Sequence, residues 1–324
     1  MRTAHLPAQL QRYIDDRLAG GRPATLKRSA GELSERYRST SGAGPGATDA
    51  DAVDAYAATR LPATYAAVAM ALTELDRIAF APSSHLDLGT GLGSAVWAAG
   101  EAFPSLRRVT AVDAVAAMLA AAAQAAAAGP PAVRAAAFVP ADLTRYTPDG
   151  RYDLVTAAYA LNELPQAAAL ALLERIWPAT GGALVLVEPG TPASYARLMA
   201  LRARLIALGA RILAPCPHDG PCPLQGDWCH FAVRLARSSA HRAAKGGRRG
   251  FEDEKFSYVV ATRVVDDERA RPRILRHPVV RPGHVRFRLC TASGIEERTV
   301  ARSDPGYRDA RKASWGDTAL PEQP

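Results

Sequence analysis

The stretch HLDLGTGLGSAVWAA, His85–Ala99, places three closely spaced glycines directly after a short apolar run. The apolar run predicts a β-strand, and the residues from Ser94 onward favour a helix. Glycine adopts backbone conformations that other residues avoid, and it lets the chain approach a ligand closely. A strand that turns through glycines into a helix is typical of ligand-binding α/β sheets.

The glycine spacing excludes two common nucleotide motifs. The dinucleotide fingerprint requires Gly-x-Gly-x-x-Gly or Ala. Counted from Gly89, the third position is Ser94, and counted from Gly91 it is Val96. A phosphate-binding P-loop would need Gly-Lys followed by Ser or Thr, which is absent here. An ordinary glycine turn, with Asp113 capping the next helix, remains the simplest alternative.

The surrounding sequence alternates between strand and helix patterns. Strands are predicted at 85–88, 108–113, 135–142, 152–158 and 182–188, and helices at 94–103, 114–128 and 166–177. This alternation predicts an α/β fold with a parallel sheet, whose ligands bind at the carboxyl ends of the strands. Asp87 lies in the first strand, and Asp113 and Asp142 end the next two. The sequence therefore predicts a pocket at that edge.

This pattern resembles motif I of the class I S-adenosylmethionine-dependent methyltransferases. The resemblance implies that the glycine turn packs against the methionine part of the cofactor. It also implies that Asp113 accepts the ribose hydroxyls and that Asp142 faces the adenine amino group. The implied cofactor-binding residues are Asp87, Gly89, Thr90, Gly91, Gly93, Asp113 and Asp142.

The fourth strand gives no catalytic residue. The sequence AAYALNELP, 157–165, lacks the Pro-Pro of base-directed N-methyltransferases and the nucleophilic cysteine of cytosine-C5 enzymes. Asn162 and Glu163 either contact the cofactor or a substrate amine, or cap the following helix. We favour the capping interpretation.

Three of the four cysteines fall in CPHDGPCPLQGDWCHF, 216–231. The N-terminus shows no signal or transit pattern, so we expect a cytoplasmic protein without a membrane anchor, in which disulfides are disfavoured. Zinc sites commonly use Cys-x-x-Cys pairs. The wider spacing of Cys216, Cys222 and Cys229 suits a four-iron cluster, which takes four thiolates. Because His218 and His230 lie beside cysteines, zinc with mixed ligands remains an alternative. A loop that binds no metal is a further alternative.

The fourth cysteine ends a strictly alternating strand, HVRFRLC, 284–290. Val285, Phe287 and Leu289 share one face, and Cys290 lies on the opposite face with the arginines. A cysteine of the core would belong with the apolar residues. Cys290 is therefore the candidate fourth ligand.

The positive charge is concentrated at the C-terminal end. Residues 1–210 hold 19 Lys and Arg against 18 Asp and Glu, and residues 211–324 hold 21 against 14. This asymmetry indicates a polyanionic binding partner, most often nucleic acid. A solvated basic surface without a partner would give the same charge distribution. The candidate RNA-binding residues are Arg242, Lys245, Arg248, Arg249, Arg286 and Arg288.

The segments CPHDGPCPL, WCHF and GFEDEKFSYVV, the later lone cysteine and the terminal YRDARKASWGD together resemble the methyltransferase-like assembly factors of the mitochondrial small ribosomal subunit and their bacterial relatives. The resemblance covers residues 60 to 317. It implies a class I methyltransferase-like fold, a [4Fe-4S] cluster on Cys216, Cys222, Cys229 and Cys290, and association with small-subunit ribosomal RNA.

We therefore expect a helical N-terminal region (1–80), a methyltransferase-like domain (81–265) with a Cys-rich insertion (210–250), and a basic β-rich segment (266–324). The leading hypothesis is an S-adenosylmethionine-binding, iron–sulfur protein that methylates ribosomal RNA and is a monomer when free. The alternatives are a non-catalytic assembly factor of the same build and a zinc-stabilised methyltransferase of small molecules or proteins.

Overall fold

A computed structural model describes residues 3–38, 49–245, 249–263 and 271–318. The first part of the chain forms β1 (Thr3–Ala4), α1 (Ala8–Leu18), α2 (Pro23–Arg38), α3 (Ala50–Leu72) and a 3-10 turn (Thr73–Ile78). Within the described ranges, every helix is too short or too polar to cross a lipid bilayer.

The central part alternates strands and helices as predicted. It forms β2 (Ser84–Leu88), α4 (Ser94–Ala102), β3 (Arg108–Asp113), α5 (Ala116–Ala126), α6 (Pro131–Arg134), β4 (Ala137–Pro140), β5 (Tyr152–Ala158), α7 (Gln166–Ala179), β6 (Thr180–Pro189) and α8 (Pro192–Ala207). It continues with β7 (Arg211–Ala214), β8 (Phe231–Ala236), α9 (Ser239–Lys245) and β9 (Phe251–Thr262).

These strands build one sheet in the order β1-β8-β9-β6-β5-β2-β3-β4, with β7 also paired to β9. Strands β2 to β6 are mutually parallel. The sequence predicts that the segment 255–264 completes the parallel sheet, and this is wrong because β9 runs antiparallel to β6. Strands β7 and β8 also run antiparallel to β9, so β9 is inserted between neighbours of the opposite direction.

Apolar side chains fill both faces of the sheet. Helix α3 carries much of one face, where almost every side chain from Val53 to Leu72 is buried or half-buried. Helices α7 and α8 cover the other face with Leu172, Ile176 and Leu198. Because α3 is buried along its length, the N-terminal helices and the sheet share one core. The three-part division of the chain stays a prediction.

The C-terminal residues form a second, antiparallel sheet. It contains β10 (Arg273–Ile274), β11 (Val279–Arg281), β12 (His284–Thr291) and β13 (Gly294–Ala301), and α10 (Tyr307–Ala310) packs beside it. The alternation predicted for 284–290 is confirmed, since Val285, Phe287 and Leu289 are buried together.

One buried ion pair joins the second sheet to the N-terminal region. Arg273 Nη1 and Nη2 donate to Glu74 Oε1 and Oε2 at 2.7 and 2.9 Å. The same guanidinium donates to the carbonyls of Pro215 and Gly316 at 3.1 and 2.7 Å. Arg273 is 2% exposed, so each of its donors depends on a protein partner.

Removing the carboxylate should therefore destabilise the fold. Glu74→Gln leaves a buried guanidinium without its counter-charge, and we expect a loss of about 3 kcal/mol in the free energy of unfolding. The exposed Arg28–Glu32 pair provides a control. Glu32→Gln should cost less than about 0.5 kcal/mol. Urea unfolding measures both, and equal costs would contradict a structural role for the buried pair.

Candidate cofactor pocket and cysteine cavity

The glycine turn forms the floor of a pocket at the carboxyl ends of β2, β3 and β5. Gly89, Gly91 and Gly93 all have positive φ, at 68°, 52° and 80°. The backbone amides of Gly89 and Thr90 donate to the Val112 carbonyl, which holds the turn against β3. The pocket is lined by Tyr56, Gly89, Gly91, Asp113, Ala114, Val115, Met118, Asp142, Leu143, Ala158, Tyr159, Ala160, Glu163 and Leu164.

Gly89 is required for two reasons. Its φ lies in the left-handed region, and a Cβ atom at this position would lie 2.4 Å from Ala160 Cβ. The turn after β2 and the loop after β5 can therefore meet only because Gly89 has no side chain. This contact sets the width of the pocket.

The three predicted carboxylates have different environments. Asp113 Oδ2 accepts from the Gly91 amide at 2.8 Å, and Oδ1 accepts from the Val115 amide at 2.9 Å. Asp142 lies at the open rim, where its Oδ1 accepts from the Thr144 amide and hydroxyl. Asp113 thus both braces the glycine turn and lines the pocket, while Asp142 remains exposed to solvent.

Asp87 is buried beneath the turn. Its Oδ1 accepts from Thr156 Oγ1 at 2.6 Å, and Thr156 in turn contacts His85 Nε2 at 2.7 Å. Burial raises the pKa of Asp87 to about 6 and lowers the pKa of His85 to about 3. Asp87 Oδ2 has no hydrogen-bond partner among the described residues. A buried acceptor without a donor indicates that a ligand or water completes the site.

The loop after β5 contributes residues that the sequence does not assign. Helix α7 begins after Pro165, which makes no side-chain capping hydrogen bond, and the buried Asn162 Oδ1 has no hydrogen-bond partner among the described residues. The capping interpretation of Glu163 stays a prediction, and Glu163 also lines the pocket. Tyr159 has a φ of 56°, which is unusual for a bulky residue, and its hydroxyl donates to Glu254 at 2.8 Å. Tyr56 reaches the pocket from α3.

Glu188, at the end of β6, is 2% exposed and neither carboxylate oxygen has a hydrogen-bond partner among the described residues. The amides of Leu161 and Asn162 face it without reaching hydrogen-bond geometry. Burial raises the pKa of Glu188 to about 8 against the opposing effect of these amides and of Arg197. A carboxylate that ends an apolar strand is the same signal that identified Asp113, and it could have identified Glu188.

All four cysteines line one small cavity beside β9. The lining residues are Tyr195, Leu198, Met199, Pro215, Cys216, His218, Cys222, Pro223, Leu224, Cys229, Ser257, Tyr258, Arg273, Leu275 and Cys290. The cysteines form no disulfide. Burial raises the pKa of Cys290 to about 12, with further contributions from Cys216 and Cys222. The fold therefore brings Cys290 to the loop that holds the other three.

Polar groups surround these thiols. Tyr195 Oη donates to Cys222 Sγ at 2.9 Å, and His218 Nε2 lies 3.9 Å from Cys290 Sγ. Burial raises the pKa of Cys216 against the opposing effect of Arg202. Arg202 is 3% exposed, and its Nε has no hydrogen-bond partner among the described residues. With Arg273, two buried cations lie beside the cavity. Within the described ranges, no three His, Cys, Asp or Glu side chains are arranged to hold a metal ion.

The candidate RNA-binding residues are not equivalent in the structure. Lys245 pairs with Glu252, and Arg288 Nη1 donates to Asp227 Oδ2 at 2.9 Å. Arg249 and Arg286 are exposed. Arg242, also exposed, donates to the Arg237 carbonyl at 3.0 Å. Arg248 lies outside the described residues.

The sequence model described as "Mitochondrial small ribosomal subunit Rsm22" matches residues 50–320. This chain belongs to the Rsm22 family. A human relative, the mitochondrial ribosome assembly protein METTL17, is 34% identical over 288 residues, which cover 81% of this chain and 61% of that protein. The mitochondrial Rsm22-cox11 tandem protein 2 of Schizosaccharomyces pombe is 27% identical, covering 81% of this chain and 42% of that protein.

This Rsm22-family chain thus spans less than two thirds of the length of these relatives. Among solved structures, a magnesium protoporphyrin IX methyltransferase from Synechocystis is 18% identical, covers 71% of this chain and 91% of that chain, and has a TM-score of 0.40. The predicted fold class, a class I methyltransferase-like α/β sheet with added helices and a basic β-rich segment, is confirmed.

Glu188 should make the stability of the Rsm22-family fold depend on pH. Because its folded pKa is raised, the folded chain holds the proton more tightly, and stability falls as pH rises from about 4.5 through 8. Glu188→Gln mimics the protonated form. We expect the variant to match the natural chain near pH 5 and to be more stable above pH 8, measured by urea unfolding without cofactor.

The exposed Glu101 on α4 provides the control, and Glu101→Gln should leave the pH profile unchanged. If the free energy of unfolding depends on pH in the same way in Glu188→Gln and in the natural chain, then ionisation of Glu188 does not destabilise the folded protein.

Proposed function

We propose that this chain is an S-adenosylmethionine-binding, iron–sulfur assembly factor of the small ribosomal subunit, built on a methyltransferase fold. The observation that carries this proposal is the cavity lined by all four cysteines, on the same sheet as the glycine-turn pocket. The names of the relatives, which describe ribosome assembly proteins, support the biological setting.

The pocket fits a cationic cofactor. Asp113 and Glu163 line it, and the free Oδ2 of Asp87 lies beneath its glycine turn. This charge suits the ammonium and sulfonium groups of S-adenosylmethionine and opposes the pyrophosphate of NAD. Asp113 would hold the ribose hydroxyls, Asp142 would face the adenine, and Gly89, Thr90, Gly91 and Gly93 would carry the methionine part. When bound, the cofactor supplies a transferable methyl group.

The cysteine cavity is proposed to hold a polynuclear centre rather than a single ion. Cys216, Cys222, Cys229 and Cys290 line one cavity, and within the described ranges no three such side chains are arranged around a single ion. A [4Fe-4S] cluster places each thiolate on a separate iron, whereas tetrahedral zinc requires all four ligands around one ion. The buried Arg202 would offset part of the negative charge of four thiolates, whereas the charge of Arg273 is balanced by Glu74. The free Arg202 Nε is a donor available to such a group.

Two parts of the proposal go beyond membership of the Rsm22 family: association with small-subunit ribosomal RNA, and methyl transfer. Association with small-subunit ribosomal RNA is supported by the exposed Arg242, Arg249 and Arg286, with Arg248 outside the described residues. Lys245 and Arg288 are already ion-paired and contribute less. Methyl transfer stays a prediction. Cytoplasmic location and a monomeric free state stay predictions.

Cofactor binding can be tested by calorimetry. We expect S-adenosylmethionine to bind and NAD not to bind. Asp113→Ala should weaken S-adenosylmethionine binding by about 1–3 kcal/mol, because it leaves the ribose hydroxyls unpaired and frees the Gly91 amide. Asp149→Ala changes an exposed carboxylate that precedes β5 and does not line the pocket, and it should leave affinity intact. Failure of the folded natural chain to bind the cofactor would reject this part of the proposal.

The cluster can be tested in protein purified without oxygen. We expect iron in the natural chain, and we expect Cys290→Ser to lose iron and association with the small ribosomal subunit while it keeps most cofactor affinity. Metal binding stabilises only the folded site, so its loss should loosen the cysteine loop and its contact with Cys290 at the end of β12. Because β12 also carries the exposed Arg286, association with the subunit should weaken while β8 and β9 stay in the main sheet.

His218→Ala separates the two metal hypotheses. A cluster on four thiolates should survive the substitution, whereas zinc held by His218 and cysteines should be lost. Colourless protein with one zinc per chain would decide for the zinc-stabilised methyltransferase. Normal iron content in Cys290→Ser would remove Cys290 from the site.

A further inference from the structure

A cleft at the far end of the second sheet contains four arginines and one tyrosine. Its wall is formed by Arg281 at the end of β11, by Arg302 and Asp304 after β13, and by Tyr307, Arg308 and Arg311 on and after α10. The cleft has a volume of about 960 Å³. None of these side chains is among the six individually named RNA-binding candidates, Arg242, Lys245, Arg248, Arg249, Arg286 and Arg288.

We propose that this arginine cleft, defined as Arg281, Arg302, Arg308, Arg311 and Tyr307, binds a single strand of RNA by its phosphates and stacks one base on the tyrosine. The proposal rests on the proposed association with small-subunit ribosomal RNA and locates a contact surface for it.

The four guanidinium groups form no internal ion pair among the described residues, and Arg311 lies over the Tyr307 ring. All four side chains are exposed, and within the described ranges none forms an ion pair or a side-chain hydrogen bond. Nearby arginines of the same sheet are paired, as Arg276 and Arg288 are with Asp227 and Arg298 is with Glu296. The unpaired positive charge is therefore concentrated in the cleft.

The walls of the cleft are fixed in place. The Arg302 amide donates to the Gly283 carbonyl at 2.7 Å, which joins the end of β13 to the turn before β12. Asp304 Oδ2 accepts from the Ala301 amide, so this carboxylate is occupied by the backbone. Tyr307 packs against the buried core of the second sheet. The arginines thus project from a rigid frame, which reduces the entropy lost on binding.

The side chains match the parts of a nucleic acid strand. Planar guanidinium groups bind phosphate oxygens in pairs. Tyr307 is half-buried, with Arg311 Cζ 6.0 Å from its ring centroid, and an aromatic ring in a basic groove is a stacking platform for an unpaired base. Val280, 47% exposed, lies at the same cleft and adds an apolar contact.

Other anionic partners fit less well. Small-molecule sites are lined mainly by apolar side chains, and this cleft is lined by charge. An anionic membrane would favour a convex surface with large apolar residues for insertion. Among the described residues, only Val279 and Val280 are large, apolar and exposed. An extended strand of phosphates makes use of several separated arginines at once.

The test uses the full chain, labelled oligouridine and purified small-subunit ribosomal RNA, with affinity measured between about 50 and 200 mM salt. The double variant Arg302→Glu with Arg308→Glu should bind oligouridine at least about tenfold more weakly, and its salt dependence should fall by about 0.7 in log–log slope per lost phosphate contact. The control Arg12→Glu with Arg151→Glu makes the same charge change at exposed sites elsewhere and should bind normally.

Tyr307 separates stacking from charge. Tyr307→Ala should weaken binding without changing the salt slope, and Tyr307→Phe should restore affinity because the ring is retained. If the Tyr307→Ala protein unfolds, the double variant Arg302→Glu with Arg308→Glu provides the deciding measurement.

Normal affinity in the Arg302→Glu, Arg308→Glu variant would overturn the cleft while leaving the assembly role intact. The same holds if ATP competes fully with oligouridine, which indicates a nucleotide pocket, or if anionic phospholipid vesicles bind at the cleft and RNA does not. If the natural chain binds neither oligouridine nor small-subunit ribosomal RNA, both this inference and the proposed function are overturned.

Discussion

The buried guanidinium of Arg273 is the interaction on which the arrangement of the C-terminal half depends. It joins Glu74 of the N-terminal region, the carbonyl of Pro215 before the cysteine loop, and the carbonyl of Gly316 near the end of the described chain. Its strand neighbour across β10 and β12 is Cys290. A cation with 2% exposure must satisfy its donors inside the protein, so these segments can meet in only one way.

A second constraint links the cofactor pocket to the cysteine cavity. Helix α8 carries Arg197, whose Nη2 donates to the carbonyls of Leu161 and Leu164 in the loop after β5. Five residues further along, the same helix contacts the cysteine loop, where Arg202 donates to the carbonyls of His218 and Gly220. The loop after β5 and the cysteine loop therefore both contact helix α8, which gives a physical basis for coupling the two sites.

The charges of the C-terminal third have two separate uses. Arg276 and Arg288 hold Asp227 of the cysteine loop against the second sheet, and Arg273 lies beside the thiols. The arginines of the cleft, by contrast, face solvent without ion-pair partners in the described part of the chain. The net positive charge alone cannot distinguish these uses, since a buried, paired arginine and an exposed, unpaired one contribute equally to composition.

The sequence by itself determined the alternating strands, the glycine turn and the carboxylates that follow it, because these depend on local periodicity and on residues adjacent in the chain. It also placed Val285, Phe287 and Leu289 on one face and Cys290 on the other. Only the tertiary structure decided the antiparallel direction of β9, the meeting of Cys290 with the distant cysteine loop, and the roles of Tyr56, Glu188 and Arg202. These depend on contacts between residues far apart in sequence, whose formation is set by packing and by the satisfaction of buried charge rather than by local pattern.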